Sequence, residues 1–489
     1  MAITPLGNCE ANAPYQLGFS ATHQEGEFNA LPIQGKIPRW LRGSLIRTGP
    51  GTLEVGKQSY HHWFDGLAML RKFSFAHGQV SFANRFLESQ AYQEAKAKGK
   101  ISRGEFGTTA RHSLLERLTD PLPRLTDNAT VNITMQGDRF VSVTESPFPI
   151  IFDPETLNTI EQFHYRDRVP GQITTAHPHF DYQENAVYSY LVNLIPGCSY
   201  SIYRMDAHSD QRQLIASIPV QQPAYMHTFG MTEHYIILAE FPLLLNRLSL
   251  ALSGKPYIEN YQWKPEQGTR FLVISKESGK VVHSAKSEAF FAFHHVNAFE
   301  QDGEVMVDLI AYSDSSVIQS LYLEPLLHHP EQVIAAGELR RYCIPLSEAI
   351  AHYEVLTTEV IELPRINYQR CNTHRYQFVF GVGSSKPGNF IDQIVKVDVQ
   401  NGTTQMWRSP DCYPGEPVFA AAPDAKSEDE GVILSVVLNA QTQNSFLLVL
   451  DGQSWNELAR VQLPYHLTFD FHGQYFDAMA STQRTQLHR

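Results

Sequence analysis

A chain of 489 residues with 43% hydrophobic and 18% charged residues has the makeup of an ordinary globular protein, long enough for a very large core. Its net charge of −12 offers no basic stripe to neutralise phosphates, which excludes a nucleic-acid partner. Five scattered cysteines (Cys9, Cys198, Cys343, Cys371, Cys412) with no CxxC argue against a disulfide framework or thiolate metal site, and for a reducing, cytoplasmic setting.

In chain order, the N-terminal MAITPLGNCEANAPYQ lacks a basic segment followed by an apolar run, so no secretory signal is expected. No stretch approaches the ~18 uninterrupted apolar residues of a spanning helix. Strand-like runs then succeed one another: SLIRTG, RFVSVTE, AVYSYLV, YIILAEF, RFLVISK, VMVDLIAY, YQFVFGVG, GVILSVVL and SFLLVLD. They are rich in β-branched or aromatic residues and bounded by Gly, Pro, Asn or Asp. Helical periodicity is sparse, with the best candidates at 241–253 and 316–328. The charged DAKSEDEG at 424–431 reads as a solvated loop before a strong strand. Glycine and proline are spread evenly, with no linker, so one domain over 1–489 is expected. Many short strands without a helical crossover rhythm exclude a doubly wound sheet and favour a sandwich, barrel or propeller.

Four histidines sit in short apolar or turn-flanked phrases: His177 in TTAHPHFD, His227 in AYMHTFGMT, His294 in FAFHHVNAFE and His472 in FDFHGQYF. Imidazole in such surroundings costs desolvation unless both ring nitrogens find partners. The four are separated by 50, 67 and 178 residues. With a propeller blade of roughly 40–50 residues, those intervals resemble one blade, one blade, then two or three. Inner strands of a propeller converge on one axis, where such residues can meet around a metal. Spacing does not choose between His294 and His295, since adjacent strand residues face opposite ways, and His177 and His179 could share a face.

An all-imidazole set suits iron, copper, nickel or zinc, and open positions on iron suit O₂ chemistry. Metal-bound histidines usually pass their other N–H to a carboxylate or carbonyl. Three glutamates lie among apolar or proline-rich neighbours: Glu145 in FVSVTESPF, Glu362 in VIELPRINYQ and Glu416 in YPGEPVF.

At these phrases the chain resembles the carotenoid cleavage oxygenases, which include carotenoid dioxygenases and the vertebrate retinoid isomerohydrolase. The likeness runs in order through IPRWLRGSLIRTGPGTLEVG, HHWFDGLAMLRKFSF, GEFGT, DNATVNI, TAHPHFD, HTFGMTEHYI, FHHVNAFEQDGEVMVDL, LPRINYQ, DCYPGEPVFAAAPDAKSEDEGVILSVVL and FHG. It implies an all-β, seven-bladed propeller with a helical or loop cap over one face. It also implies one Fe(2+) per chain on His177, His227, His294 and His472, with Glu145, Glu362 and Glu416 behind three of them. The implied reaction is O₂-dependent scission of a conjugated double bond of a carotenoid or apocarotenoid into two carbonyl products. No catalytic group beyond the iron centre is expected. Phe64, Phe106, Phe293 and Phe471, in or beside the shared motifs, are candidates for an aromatic substrate tunnel.

The segment 241–263, FPLLLNRLSLALSGKPYIENYQW, is too interrupted to span a bilayer. Drawn as a helix, it puts Phe241, Leu244, Leu245, Leu248 and Leu252 on one face, with Leu243 and Leu250 opposite. The family's apolar patch at a tunnel mouth makes it the expected contact with a membrane surface, for a cytoplasmic protein peripherally associated with the membrane. No obligatory protein partner is expected. Competing readings are a stilbenoid-cleaving relative, which would need polar groups at the tunnel's end, isomerohydrolase chemistry on a retinyl ester, and a non-catalytic carotenoid-binding propeller.

Overall fold

The protein is described from a computed structural model covering residues 13–21, 24–110, 125–195, 197–329 and 334–478. Seven antiparallel sheets follow one another along the chain and form a seven-bladed β-propeller. All nine strand-like runs of the sequence lie in these blades. Their burial follows their place in the sheet. Ala186–Asn193, in mid-blade, is buried at every position, whereas Gln79–Phe86, nearer the rim of its blade, alternates exposed or half-buried residues with buried ones.

The ring closes in two places. Gly473–Asp477, from the C-terminal end, pairs antiparallel with Gly43–Thr52 as the edge strand of blade one. At the other side Ile33–Gly35 pairs with Glu457–Gln462 and completes blade seven. Non-local pairing of the two ends makes the axis rigid, because no blade can swing out without breaking a ladder.

Short helices and loops inserted between strands bond to one another as a cap. Tyr15 Oη donates to Leu326 O at 2.8 Å, Leu323 N to His61 O at 2.8 Å, and Ile258 N to Phe106 O at 3.0 Å. The buried Asp65 carboxylate accepts from Gly107 N at 3.0 Å and Thr108 Oγ1 at 2.5 Å, while Asn128 Nδ2 donates to Gly66 O at 2.9 Å. These bonds join the HHWFDG, GEFGT and DNATVNI phrases. Burial raises Asp65 to about 7 despite those donors.

Three expectations change. The 316–328 helix is two, Ser316–Ser320 and Leu323–His328. Pro325 lacks the N–H that would continue the first and would crowd the carbonyl four residues earlier. The 241–253 helix shrinks to Arg247–Leu252, because Leu243–Leu245 pairs as a strand with Tyr261–Trp263 and Asn246 caps the helix by accepting from Ser249 N. The single apolar face therefore does not exist. Phe241, Leu243, Leu244 and Leu245 are buried, Leu250 is half-buried, and Leu248 and Leu252 are 74% and 80% exposed. Finally, 424–431 is more than a solvated loop. Glu428 accepts from Gln377 N and Phe378 N at 2.8 Å each, and Asp429 pairs with buried Lys396 at 2.7 Å.

Candidate metal centre

Each of the four histidines sits at an inner strand. His177 lies between Ile173–Thr174 and His179–Asp181 of blade three, and His227 precedes Gly230–Met231 of blade four. His294 precedes His295–Gln301 of blade five, and His472 precedes Gly473–Asp477 of blade one. One potential ligand nitrogen from each lies within 4.8 Å of those of the others. Gly473 is required beside His472, since a Cβ there would lie 2.4 Å from Arg47 Cγ and 2.8 Å from Ile46 O.

The structure also decides between neighbours. His295 turns away from the cluster, with Nδ1 2.8 Å from Thr228 Oγ1. His179 is spent on Tyr368 Oη (2.8 Å) and Phe229 O (2.9 Å). Burial lowers His295 to about 3 and His179 to about 4, so both are neutral.

The three glutamates come one to a histidine, Glu362 and Glu416 from the blade next to their partner's and Glu145 from blade two against His227 of blade four. Glu145 Oε1 lies 2.6 Å from His227 Nδ1, Glu362 Oε2 2.6 Å from His294 Nδ1, and Glu416 Oε1 2.7 Å from His472 Nδ1. Glu362 is presented by a bulge in which Leu363 takes a left-handed φ of 49° and donates its N–H back to the carboxylate at 2.5 Å. Burial alone would raise Glu362. The His294 ring, the Leu363 N–H and the Tyr312 hydroxyl outweigh it and hold the carboxyl below its usual range. Among the described residues His177 meets no carboxylate, and its Nδ1 is 3.4 Å from Asn132 Nδ2.

These bonds fix the ring chemistry. A carboxylate only accepts, so Nδ1 of His227, His294 and His472 must be the donor, and a neutral ring so held turns a bare Nε2 inward. His294 Nε2 and His472 Nε2 face each other at 3.3 Å, and His227 Nε2 faces His177 Nε2 at 3.0 Å. Burial, with the other imidazoles and the Arg365 guanidinium, keeps His177 and His472 well below the usual imidazole range. Two lone pairs aimed at each other in a buried site repel unless a cation lies between them. The donor set therefore fits a divalent transition metal, and its all-nitrogen character disfavours calcium or magnesium.

Around the centre are residues that the sequence argument passed over. Arg47 Nη2 and Nε bond Asp470 at 2.7 and 2.9 Å, and Arg71 Nη1 lies 3.3 Å from the same carboxylate. Arg365 Nε lies 3.0 Å from Glu416 Oε1. Arg47 in SLIRTG and Asp470 in FDFHG are charges within apolar phrases, the same signal that singled out the glutamates. Tyr225 and Tyr312 donate to Glu145 and Glu362 at 2.8 Å each.

The four phenylalanines also converge. Phe64 stands 5.3 Å from Phe106, 5.8 Å from Phe293 and 5.2 Å from Phe471, ring centre to ring centre. Phe293 also contacts the His227 ring at 5.7 Å. Phe64 and Phe106 are half-buried, Phe293 and Phe471 buried.

Residues 19–477 match the model of the retinal pigment epithelial membrane protein family. A mitochondrial carotenoid-cleaving dioxygenase of Macaca fascicularis is 34% identical, over 91% of each chain. The beta,beta-carotene 15,15'-dioxygenase of Homo sapiens is 32% identical, over 91% of this chain and 92% of the relative. A variant of the Synechocystis apocarotenoid oxygenase superposes with a TM-score of 0.86 at 26% identity, over 95% of this chain and 98% of that one. A cobalt-substituted form of the Synechocystis enzyme superposes with a TM-score of 0.83 at 26% identity, again over 95% and 98%.

Proposed function

Since the chain belongs to the retinal pigment epithelial membrane protein family, the carotenoid cleavage oxygenases, we propose that His177, His227, His294 and His472 hold one Fe(II). The protein is a carotenoid-cleaving dioxygenase. The observation that carries the metal reading is the pair of bare, mutually facing Nε2 atoms of His294 and His472. Iron so held would supply O₂ binding and activation beside a conjugated double bond, the two oxygen atoms ending in two carbonyl products.

The chain's own residues then have three tasks. Glu145, Glu362 and Glu416 keep the Nδ1 protons of three rings pointed outward and the Nε2 lone pairs inward. Phe64, Phe106, Phe293 and Phe471 line the substrate path, exclude water and present aromatic faces to positive charge developing on the polyene. The closed ring holds the centre still, so that depth of entry selects the bond. We read residues 1–489 as one domain working in the cytoplasm.

Incubating the iron-loaded protein with β-carotene, an apocarotenal and resveratrol, with and without O₂, tests this reading. Two carbonyl fragments from a carotenoid or apocarotenoid, seen by mass and only with O₂, are expected. Cleavage confined to resveratrol, or carotenoid turnover without O₂, would overturn it.

Carotenoids reside in membranes, and Leu248 and Leu252 form an exposed apolar pair beside Arg247. We propose that this short helix rests in the membrane interface; among the described residues no helix is long and apolar enough to cross. Half-covered, the two leucines contribute about 2 kcal/mol together. Changing both to Ser is therefore expected to weaken vesicle co-sedimentation roughly tenfold or more. Cleavage of vesicle-embedded carotenoid should slow, while melting temperature and turnover of a detergent-dispersed apocarotenal stay as in the unaltered protein. Unchanged vesicle binding would refute the contact.

A further inference from the structure

We infer that Tyr225 and Tyr312 are positioning residues of the metal centre, each fixing the carboxylate that orients a metal-binding histidine. The inference rests on the reading of the four histidines as the iron site. Both phenols are buried, and each is aimed at a glutamate. Tyr225 Oη meets the same Oε1 of Glu145 that faces His227 Nδ1, whereas Tyr312 Oη meets the Oε1 of Glu362 left over from the His294 contact. A carboxylate carries about four acceptor positions, and the imidazole alone leaves most of them open. The phenol supplies the missing donor, so the carboxylate has one orientation rather than several.

Both tyrosines are themselves held. Tyr225 N donates to Leu243 O at 2.9 Å. Tyr312 exchanges two backbone bonds with Phe291, at 2.7 and 3.0 Å, and the Phe291 ring stacks 6.1 Å from that of Tyr225. One phenylalanine thus ties the two supports together. Glu416 is treated differently, with Arg365 and Arg47 at 3.0 and 3.7 Å and Gly473 N at 3.0 Å in place of a phenol. His227 and His294 therefore face carboxylates supported by neutral donors, and His472 one flanked by cations.

The test compares the full-length protein with Tyr225→Phe, Tyr312→Phe and Tyr257→Phe. The last removes a phenol of the same aromatic group that bonds Tyr261 Oη at 2.6 Å. Each is loaded with Fe(II) or, for its visible absorption bands, Co(II), and metal release to a chelator is timed. Tyr225→Phe and Tyr312→Phe should lower the metal-free melting temperature no more than Tyr257→Phe does, each losing one buried hydrogen bond, yet release metal about tenfold faster, at the low end for outer partners of a metal site, and shift the Co(II) bands. Tyr257→Phe should match the unaltered protein in both readouts. Release and bands unchanged in Tyr225→Phe and Tyr312→Phe would overturn the inference, even if turnover fell, since that pattern marks a substrate contact. Release equally fast in all three would overturn it too, as general loosening. Failure of the unaltered protein to bind either metal would instead remove the iron reading, and this inference with it.

Discussion

His294→Ala is expected to leave the centre without stably bound iron, whereas His295→Ala keeps close to one iron per chain. The two residues are adjacent, one buried and the other half-buried, so neither position nor hydropathy separates them. Geometry does. His294 Nε2 lies 3.3 Å from His472 Nε2, and its Nδ1 proton goes to Glu362. Losing that ring removes an inward nitrogen and strips Glu362 of its shortest ring donor. The loss should exceed the roughly 10–100-fold seen when only an outer partner of a metal ligand is changed. His295 instead bonds the Thr228 hydroxyl, whose own proton goes to Phe293 O at 2.8 Å. Its replacement should cost about 1–2 kcal/mol for one buried hydrogen bond. Metal analysis after dialysis, run beside turnover, reads both effects. Iron lost equally from both variants would contradict the assignment.

Asp470→Asn is the second substitution with a large expected effect, and it acts on stability. The guanidinium groups of Arg47 and Arg71 are fully buried, and both lean on this one carboxylate. Their remaining bonds run to uncharged acceptors: Glu416 O and Phe471 O for Arg47, Thr468 O and Pro50 O for Arg71. Among the described residues the one other carboxylate paired with them is Glu416, 3.7 Å from Arg47 and shared with Arg365. Asparagine preserves shape but leaves buried Arg71 without its counter-ion and Arg47 with only the more distant Glu416, a situation that costs about 3–5 kcal/mol. Denaturant unfolding should register a loss of that size, or the variant should fail to accumulate folded. Because Asp470 lies two residues before His472, iron retention should weaken with it. A variant within about 1 kcal/mol of the unaltered protein would show the network to be dispensable, as some buried ion clusters are.

Much of the architecture was legible from local pattern. Nine strand-like runs, the absence of crossover helices and the intervals between histidines already pointed to blades around an axis. The 178-residue gap between His294 and His472 resolves into three blade steps, because the C-terminal strand returns to blade one. Short apolar stretches were harder. The leucines of 241–253 fit a helical face by spacing, yet Leu243–Leu245 became a strand, since Tyr261–Trp263 offered a partner that no local window reveals. Glu428 and Asp429 looked solvated because charge runs usually are. Their partners, the 377–378 backbone and Lys396, lie far away in the chain.

The same division runs through the centre. The amino-acid sequence by itself determined which side chains could serve: four histidines and three glutamates placed where solvation is poor, together with order and spacing that mark the family. Composition and periodicity are local properties, so they survive without coordinates. Only the tertiary structure decided which partner each side chain meets. It set His294 against His295, gave each of three rings one carboxylate and therefore one tautomer, left His177 without one, and brought Tyr225, Tyr312, Arg47 and Asp470 to bear on the site. Those outcomes depend on hydrogen bonds spanning 50 to 423 residues, and the direction of such a bond exists only once the blades have closed into a ring.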